Sequence, residues 1–250
     1  MIQTTVSRIL NTFGDKNYRY GKGIPYLLLE TLGSKASSDR RFFEAIDFRG
    51  KTVYDVGAYI GLLTIFFAKK VGARGRVIAF EPNPESFSKL LITTARYPNV
   101  TPFNLGLGNK HEKLTLIASA HSRATGTVEP TIKRERTTHA HKEWNVQIVP
   151  LDTLHNLPPP HFVKIDVEGF EYNVLEGMKS TILSHKPMMC IESHGITSAM
   201  KKRNIQGILD LLSDFNYKLF HIETHQRISP SYIPLTGHVL AYFWGEHKEC

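Results

Sequence analysis

Cysteine is almost missing from this chain: Cys190, in an apolar stretch, and Cys250 are the two present among 250 residues. Two thiols so placed make neither a disulfide framework nor a four-ligand zinc site, and they suit a reducing compartment. No stretch approaches the roughly 20 apolar residues that span a bilayer. The opening M-I-Q-T-T-V-S-R-I-L-N-T-F-G-D-K lacks the unbroken apolar core of a secretory signal, so a cytoplasmic protein is expected. No internal repeat and no low-complexity tract is present. Acid is in deficit, with 23 Asp and Glu against 31 Lys and Arg and a formal net charge of +8. That balance admits nucleic acid, an acidic membrane surface or an anionic substrate. The basic residues are spread along the chain, which favours a merely basic surface. Their densest cluster is Lys133, Arg134, Arg136, His139, His141 and Lys142.

What the chain does have is Val53 to Gly61, V-Y-D-V-G-A-Y-I-G, running into Leu62, Leu63, Thr64, Ile65, Phe66, Phe67. A β-prone start, an acid, two glycines and an apolar run describe a strand, a tight turn and a helix N-terminus. Gly57 takes positive φ without strain, and Gly61 lets the helix and a ligand approach the backbone. The first helical amides are free to meet polar or anionic oxygens. A dinucleotide site wants G-x-G-x-x-G, whereas this turn reads D-x-G-x-x-x-G with Asp55 on the strand. A carboxylate there repels a pyrophosphate and suits a ligand carrying an ammonium and a sulfonium, which points to S-adenosylmethionine rather than a nicotinamide dinucleotide. The plainer alternative is a glycine turn after a buried strand.

Residues 1–50 read as an N-terminal helical extension. Val6, Ile9, Leu10 and Phe13 repeat at helix spacing, and Ser37, Ser38 and Asp39 are placed to cap a helix through Ile46. It packs over the ligand cleft, shapes an acceptor pocket, or only covers the sheet. Residues 51–245 read as one globular unit. Arg76 to Phe80 form a second strand ending in Glu81-Pro82, with Glu81 24 residues after Gly57. That is about where a doubly wound fold puts the acid that holds a ribose diol; an exposed strand-end Glu is the alternative. Asn83 caps a helix with Pro84 at its first position. A third strand is expected over Asn99 to Leu107, and Asn104 at its end either reads a purine edge or satisfies a turn. Lys113 to Ala118 look like a further strand, Ser119 to Asn145 a mobile flap containing the basic cluster, and Val146 to Pro150 another strand.

The second signature is H-F-V-K-I-D-V-E-G-F-E, His161 to Glu171. On a strand, Val163, Ile165 and Val167 share one face, and Lys164, Asp166 and Glu168 the other. Buried acids are costly in mid-sheet, so these belong at the carboxyl edge, where open α/β sheets bind ligands. Gly169 ends the strand, and Val174, Leu175, Met178 and Ile182 stripe the following helix. Met188 to Ile191 then lead into Glu192-Ser193-His194-Gly195, so Asp166, Glu168, Glu192 and His194 should face one crevice. A helix around Asn204 to Leu212 and an antiparallel pair, Tyr217 to Ile222 and Val239 to Trp244, close an α/β fold. Its mixed sheet has roughly seven strands with helices on both faces.

D-V-G-A-Y-I-G, F-E-P-N, K-I-D-V-E-G-F-E and I-E-S-H, in that order, resemble the FkbM-type methyltransferase family, of the Rossmann-like class I fold. The resemblance covers about Phe48 to Ile196, with weaker agreement in the closing strands. It implies S-adenosylmethionine-dependent O-methylation of a hydroxyl on a sugar, other glycan or small natural product. Asp55, Gly57, Gly61, Thr64, Glu81 and Asn104 are expected at the cofactor site, with Asp166 beside the transferred methyl. The flap, where the match weakens, should choose the acceptor. His194 is the expected base, because His titrates near working pH, with Glu192 its orienting partner or an alternative base and Glu168 assisting the acceptor. A divalent metal on Asp166, Glu168, Glu192 and His194 is weighed and not favoured. RNA methylation lacks a D-P-P-Y or N-P-P-Y tetrapeptide, Asp55 disfavours an oxidoreductase, and a non-catalytic basic nucleic-acid-binding module remains the contrasting reading.

Overall fold

The computed structural model describes residues 42–119, 141–194, 197–235 and 237–244. At its centre is β1, Thr52–Val56, whose five residues are all buried, as a β-branched and aromatic run between parallel neighbours should be. Helix α1, Leu62–Val71, leads to β2, Arg76–Phe80, and α2, Pro84–Thr94, leads to β3, Val100–Phe103. On the other side of β1 lie β7, Phe162–Ile165, and β8, Met188–Glu192, joined through helices α3, Glu171–Glu176, and α4, Lys179–His185. Helix α5, Ser198–Asp214, then reaches β9, Tyr217–His221, β10, Gln226–Arg227, and β11, His238–Phe243. The eight-stranded order is β10-β9-β11-β8-β7-β1-β2-β3, with β8 through β3 parallel and β11 antiparallel to both neighbours. The chain steps outward in opposite directions from β1, so the sheet has its switch point between β1 and β7, where α/β sheets open a crevice at the carboxyl ends of their strands.

Alternation along the strands divides the core. Tyr54, Val56, Ile78, Phe80, Val163 and Ile165 face α3, α4 and α5. Val53, Val77, Phe162, Cys190 and Leu240 face α1. On that second face Phe42, Phe43 and Phe48 join Phe66, Phe67 and Phe162, with edge-on pairs such as Phe43–Phe67 and Phe48–Phe162, each with centroids 5.1 Å apart. Residues 42–48 therefore cover the sheet. The rest of the extension, with the capping residues Ser37 to Asp39, lies outside the described residues.

Three local expectations change. The strand expected over Asn99–Leu107 is two: β3 stays in the large sheet, while β4, Gly106–Leu107, pairs into a second sheet of order β4-β6-β5. Asn104 makes the break, its Nδ2 donating to the carbonyls of Glu81 at 2.8 Å and Pro82 at 3.1 Å. The segment read as a flap is partly strand: β5, Glu112–Ser119, pairs antiparallel with β6, His141–Val149, from Glu112↔Ile148 to Ser119↔His141. Polar residues hid the alternation, but Trp144, Val146 and Ile148 pack with Leu114 and Leu116 on one face. Residues 120–140, with most of the basic cluster, are outside the described residues. Finally, Val174, Leu175, Met178 and Ile182 are all fully buried, as expected, yet they lie on two helices. Gly177 is the joint, and a Cβ there would lie 1.8 Å from the Gly108 carbonyl oxygen.

Gly177→Ala should therefore cost about 3 kcal/mol of unfolding free energy. Gly50→Ala, with open space but φ +69, should cost roughly 1 kcal/mol from the backbone alone. Equal losses in urea denaturation would remove the packing explanation.

Candidate active site

At the switch point the two signatures meet through Lys164, on β7. Its ammonium is buried, 3.2 Å from Asp166 Oδ2 and 3.6 Å from Asp55 Oδ1, and donates to the Gly57 carbonyl at 3.1 Å. Burial works against the charge, but Asp166 and Asp55 outweigh it and raise the Lys164 pKa. Asp55 is enclosed completely, its Oδ2 accepting from Thr64 Oγ1 at 2.6 Å. Asp55 and Thr64 thus spend their polar atoms holding strand, helix and Lys164 together beneath the turn. Gly57, at φ +79, is required by close approach: a Cβ would fall 1.8 Å from the Asp166 carbonyl oxygen. Gly61 caps α1 in the left-handed region, and its tight neighbours are Leu90 and Thr93 of α2.

Glu81 ends β2 buried, at 4% exposure. Its Oε2 accepts from the Tyr59 amide and its Oε1 from the Asn83 amide, both at 2.8 Å. Burial pushes its carboxyl up to about 7, against the pull of those two amides. Glu81 lines a pocket with Gly57 and Asp166 whose far wall is apolar, made by Leu105, Leu107 and Phe170 among others. Asn104 is outside this lining; its amide nitrogen serves the turn.

Strand β7 ends at Ile165, not at Gly169. Asp166 to Glu168 therefore leave the expected alternation, and Glu168 adopts φ +57. Lys164, assigned to the same polar face, is buried instead. The turn delivers the acids to His194, just beyond β8. Its Nδ1 is 3.6 Å from both Asp166 Oδ1 and Glu171 Oε1, and its Nε2 is 3.4 Å from Glu192 Oε1 and 3.9 Å from Glu168 Oε2. Asp166, Glu168, Glu192 and His194 are thus brought together as expected. Burial opposes the imidazolium, but Glu171, Glu192, Glu168 and Asp166 outweigh it and lift His194 to about 11. Acids on every side favour the protonated ring, which makes His194 a poorer base than an ordinary imidazole. Glu192 is half-buried; although burial alone would raise its pKa, His194 and His238 hold it well below the usual carboxylate range.

The sequence model of the methyltransferase FkbM domain matches residues 55–219, the span that carries this whole arrangement from Asp55 to His194. The chain belongs to the FkbM methyltransferase family. It is 31% identical over 136 residues to the hexuronic acid methyltransferase AglP of Haloferax volcanii, which covers 53% of this chain and 52% of that protein. A crystal structure of methyltransferase FkbM from Methylobacillus flagellatus aligns with 96% of this chain and 58% of its own, at 16% identity and a TM-score of 0.50. The chain thus spans about half the length of that curated relative.

In this FkbM chain Lys164, Glu171, His238 and Tyr59 went unread as site residues. Lys164 carried a signal, being an ordinarily charged side chain inside a buried strand; the other three depend on chain segments that meet only on folding. Glu171 is fully buried, accepting from the Gly169 amide and from Asn204 Nδ2. Asp166, Glu192 and His194 form the set among the described residues that could hold a metal ion, with one ligand atom each within 4.8 Å of the others. The Lys164 ammonium lies beside this set as well, 3.2 Å from Asp166 Oδ2.

The raised Glu81 carboxyl gives a pH signature. Protonation is favoured in the folded state, so its contribution to stability is full below the ordinary carboxylate range and is lost as pH rises through about 7. Glu81→Gln should flatten the fall in stability between about pH 5 and pH 8 by up to about 3 kcal/mol. Identical pH slopes in wild type and variant would show that Glu81 ionises normally.

Proposed function

We propose that this protein transfers a methyl group from S-adenosylmethionine to a hydroxyl of a sugar or small natural product. The observation that carries the reading is the placing of a Glu81-edged pocket and the acid–His194 cluster side by side at one switch point, with Asp166 common to both. The residues present fit the cofactor. Glu81 offers two carboxylate oxygens to a ribose diol, Leu105, Leu107 and Phe170 offer an apolar slot for a purine, and Gly57 leaves bare backbone between them. Asp55 and Thr64 serve that site by holding the turn through Lys164. When bound, S-adenosylmethionine supplies a methyl carbon made electrophilic by its sulfonium.

The chain's own part is alignment, charge and proton acceptance. Asp166 stands at the pocket's edge, where its carboxylate stabilises positive charge. An acceptor hydroxyl would hold its proton only weakly once its oxygen is alkylated. A weak base therefore suffices, and Glu192, kept ionised by its two histidines, takes it. His194 orients Glu192, and Glu168 faces the acceptor side. The name of the hexuronic acid methyltransferase relative supports a sugar acceptor. Asp166, Glu168, Glu171 and Glu192 gather around His194, and such a group of acids favours an acceptor other than nucleic acid. No helix among the described residues is long and apolar enough to cross a membrane, which is in keeping with a cytoplasmic enzyme.

Calorimetric titration with S-adenosylhomocysteine, with NAD as comparison, tests the cofactor assignment. Micromolar binding of the first alone is expected, strengthening as pH rises towards about 7 and Glu81 ionises. Glu81→Ala should weaken it roughly tenfold or more. Radiolabelled methyl transfer to glucuronic acid and to neutral sugars then tests the acceptor. Absence of S-adenosylhomocysteine binding would sink the whole reading; binding without transfer to any hydroxylated acceptor would sink the sugar assignment.

A further inference from the structure

Glu192 has a second histidine partner, His238, whose geometry does more than keep the carboxylate ionised. Strand β11 runs antiparallel to β8, so its first residue, His238, is in register with Glu192, the last of β8. His238 Nε2 stands 3.3 Å from Glu192 Oε2, while the other oxygen of the same carboxylate faces His194 Nε2 at 3.4 Å. On its far side His238 Nδ1 contacts Glu223 Oε1 at 2.7 Å, and both oxygens of Glu223 accept from the His238 amide at 3.0 Å. Glu223 Oε2 in turn meets His221 Nε2 at 3.0 Å, with His221 Nδ1 2.8 Å from Thr224 Oγ1. An alternating row of imidazoles and carboxylates thus runs along the ends of β8, β11 and β9, away from the pocket. Burial alone would raise Glu223, but His221 and His238 hold it well below its ordinary pKa.

We infer that His238 is a positioning residue of the catalytic cluster, gripping one oxygen of Glu192 so that the other is presented to His194, with Glu223 fixing the His238 ring. A glutamate carboxylate turns freely about its last torsion, and Glu192 is only half-buried, so its angle depends on what holds each of its two oxygens. The lever for it comes from β11, and the lever is anchored from the β9–β10 turn. Three strands that do not touch the cofactor pocket thereby decide where the proton acceptor points. The catalytic consequence rests on the methyl-transfer reading; the grip itself does not.

The full-length protein with isotope-labelled histidine separates the two. The His194 ring signals should move in His238→Phe in the same direction as in Glu192→Gln. In His238→Gln, whose amide N–H reaches Glu192, they should return towards the wild-type position. Affinity for S-adenosylhomocysteine should stay within about twofold in the His238 variants. With glucuronic acid or a neutral sugar as acceptor, kcat should fall roughly tenfold in His238→Phe with KM for the donor unchanged. Glu192→Gln with His238→Phe should be no slower than Glu192→Gln alone. Unmoved His194 signals in His238→Phe, or equal signals in the Phe and Gln variants, would overturn the inference. If His238→Phe does not fold, Glu223→Gln, which loosens the same ring from the other side, must move the signals in its place. Should the wild type neither bind S-adenosylhomocysteine nor turn over, the methyl-transfer reading fails while the ring signals still report on the grip.

Discussion

Lys164 carries a positive charge into the middle of a parallel sheet, and the carboxyl end of that sheet is arranged to keep it there. Removing an ammonium from water costs several kcal/mol even after relaxation. The cost is offset only because Asp55 and the Gly57 carbonyl, from β1 and its turn, and Asp166, from the turn after β7, converge on it. A buried pair of this kind contributes little net stability. Its value is geometric: the glycine turn after β1 and the acid turn after β7 are held to one another through a single atom. Gly57 has to be glycine for the same reason, since the Asp166 backbone is drawn up against it.

From that tie the rest of the site follows in layers. Asp166, anchored on one side by Lys164, faces His194 on the other. His194 collects Glu171, Glu168 and Glu192, and Glu192 reaches His238 on the antiparallel strand. Opposite charges alternate outward from the sheet centre. The carboxylates turn His194 from an ordinary titrating imidazole into a fixed cation, and the histidines turn Glu192 into a fixed anion.

Much of this was legible. The strand, turn and helix around Gly57 and Gly61, the Asn83 cap, the strand ends that bring Asp166 and Glu168 to Glu192 and His194, and the closing antiparallel pair all follow from short-range pattern. The misreadings have a common form. Asn104 splits one expected strand into two, because its side chain bonds to backbone 23 residues away in sequence. β6 begins five residues early, because Leu114 and Leu116 supply a face that Trp144 and Val146 lack alone. Gly177 divides a helix, because the Gly108 backbone passes against it.

The sequence by itself determined the order of elements, the family, and which carboxylates and histidine gather at the carboxyl edge. Period, propensity and glycine placement act over a few residues and can be read along the chain. Tertiary structure alone decided what those groups are charged to do. Whether Asp55 meets a ligand or a lysine, whether Glu81 is acid or carboxylate near neutrality, and whether His194 carries a proton depend on burial and on charges a few ångströms away. Those neighbours come from other chain segments, 109 residues away for Asp55 and Lys164 and up to 28 for His194 and its acids, and Coulomb interactions in a poorly solvated site are governed by distance in space, not by position in the chain.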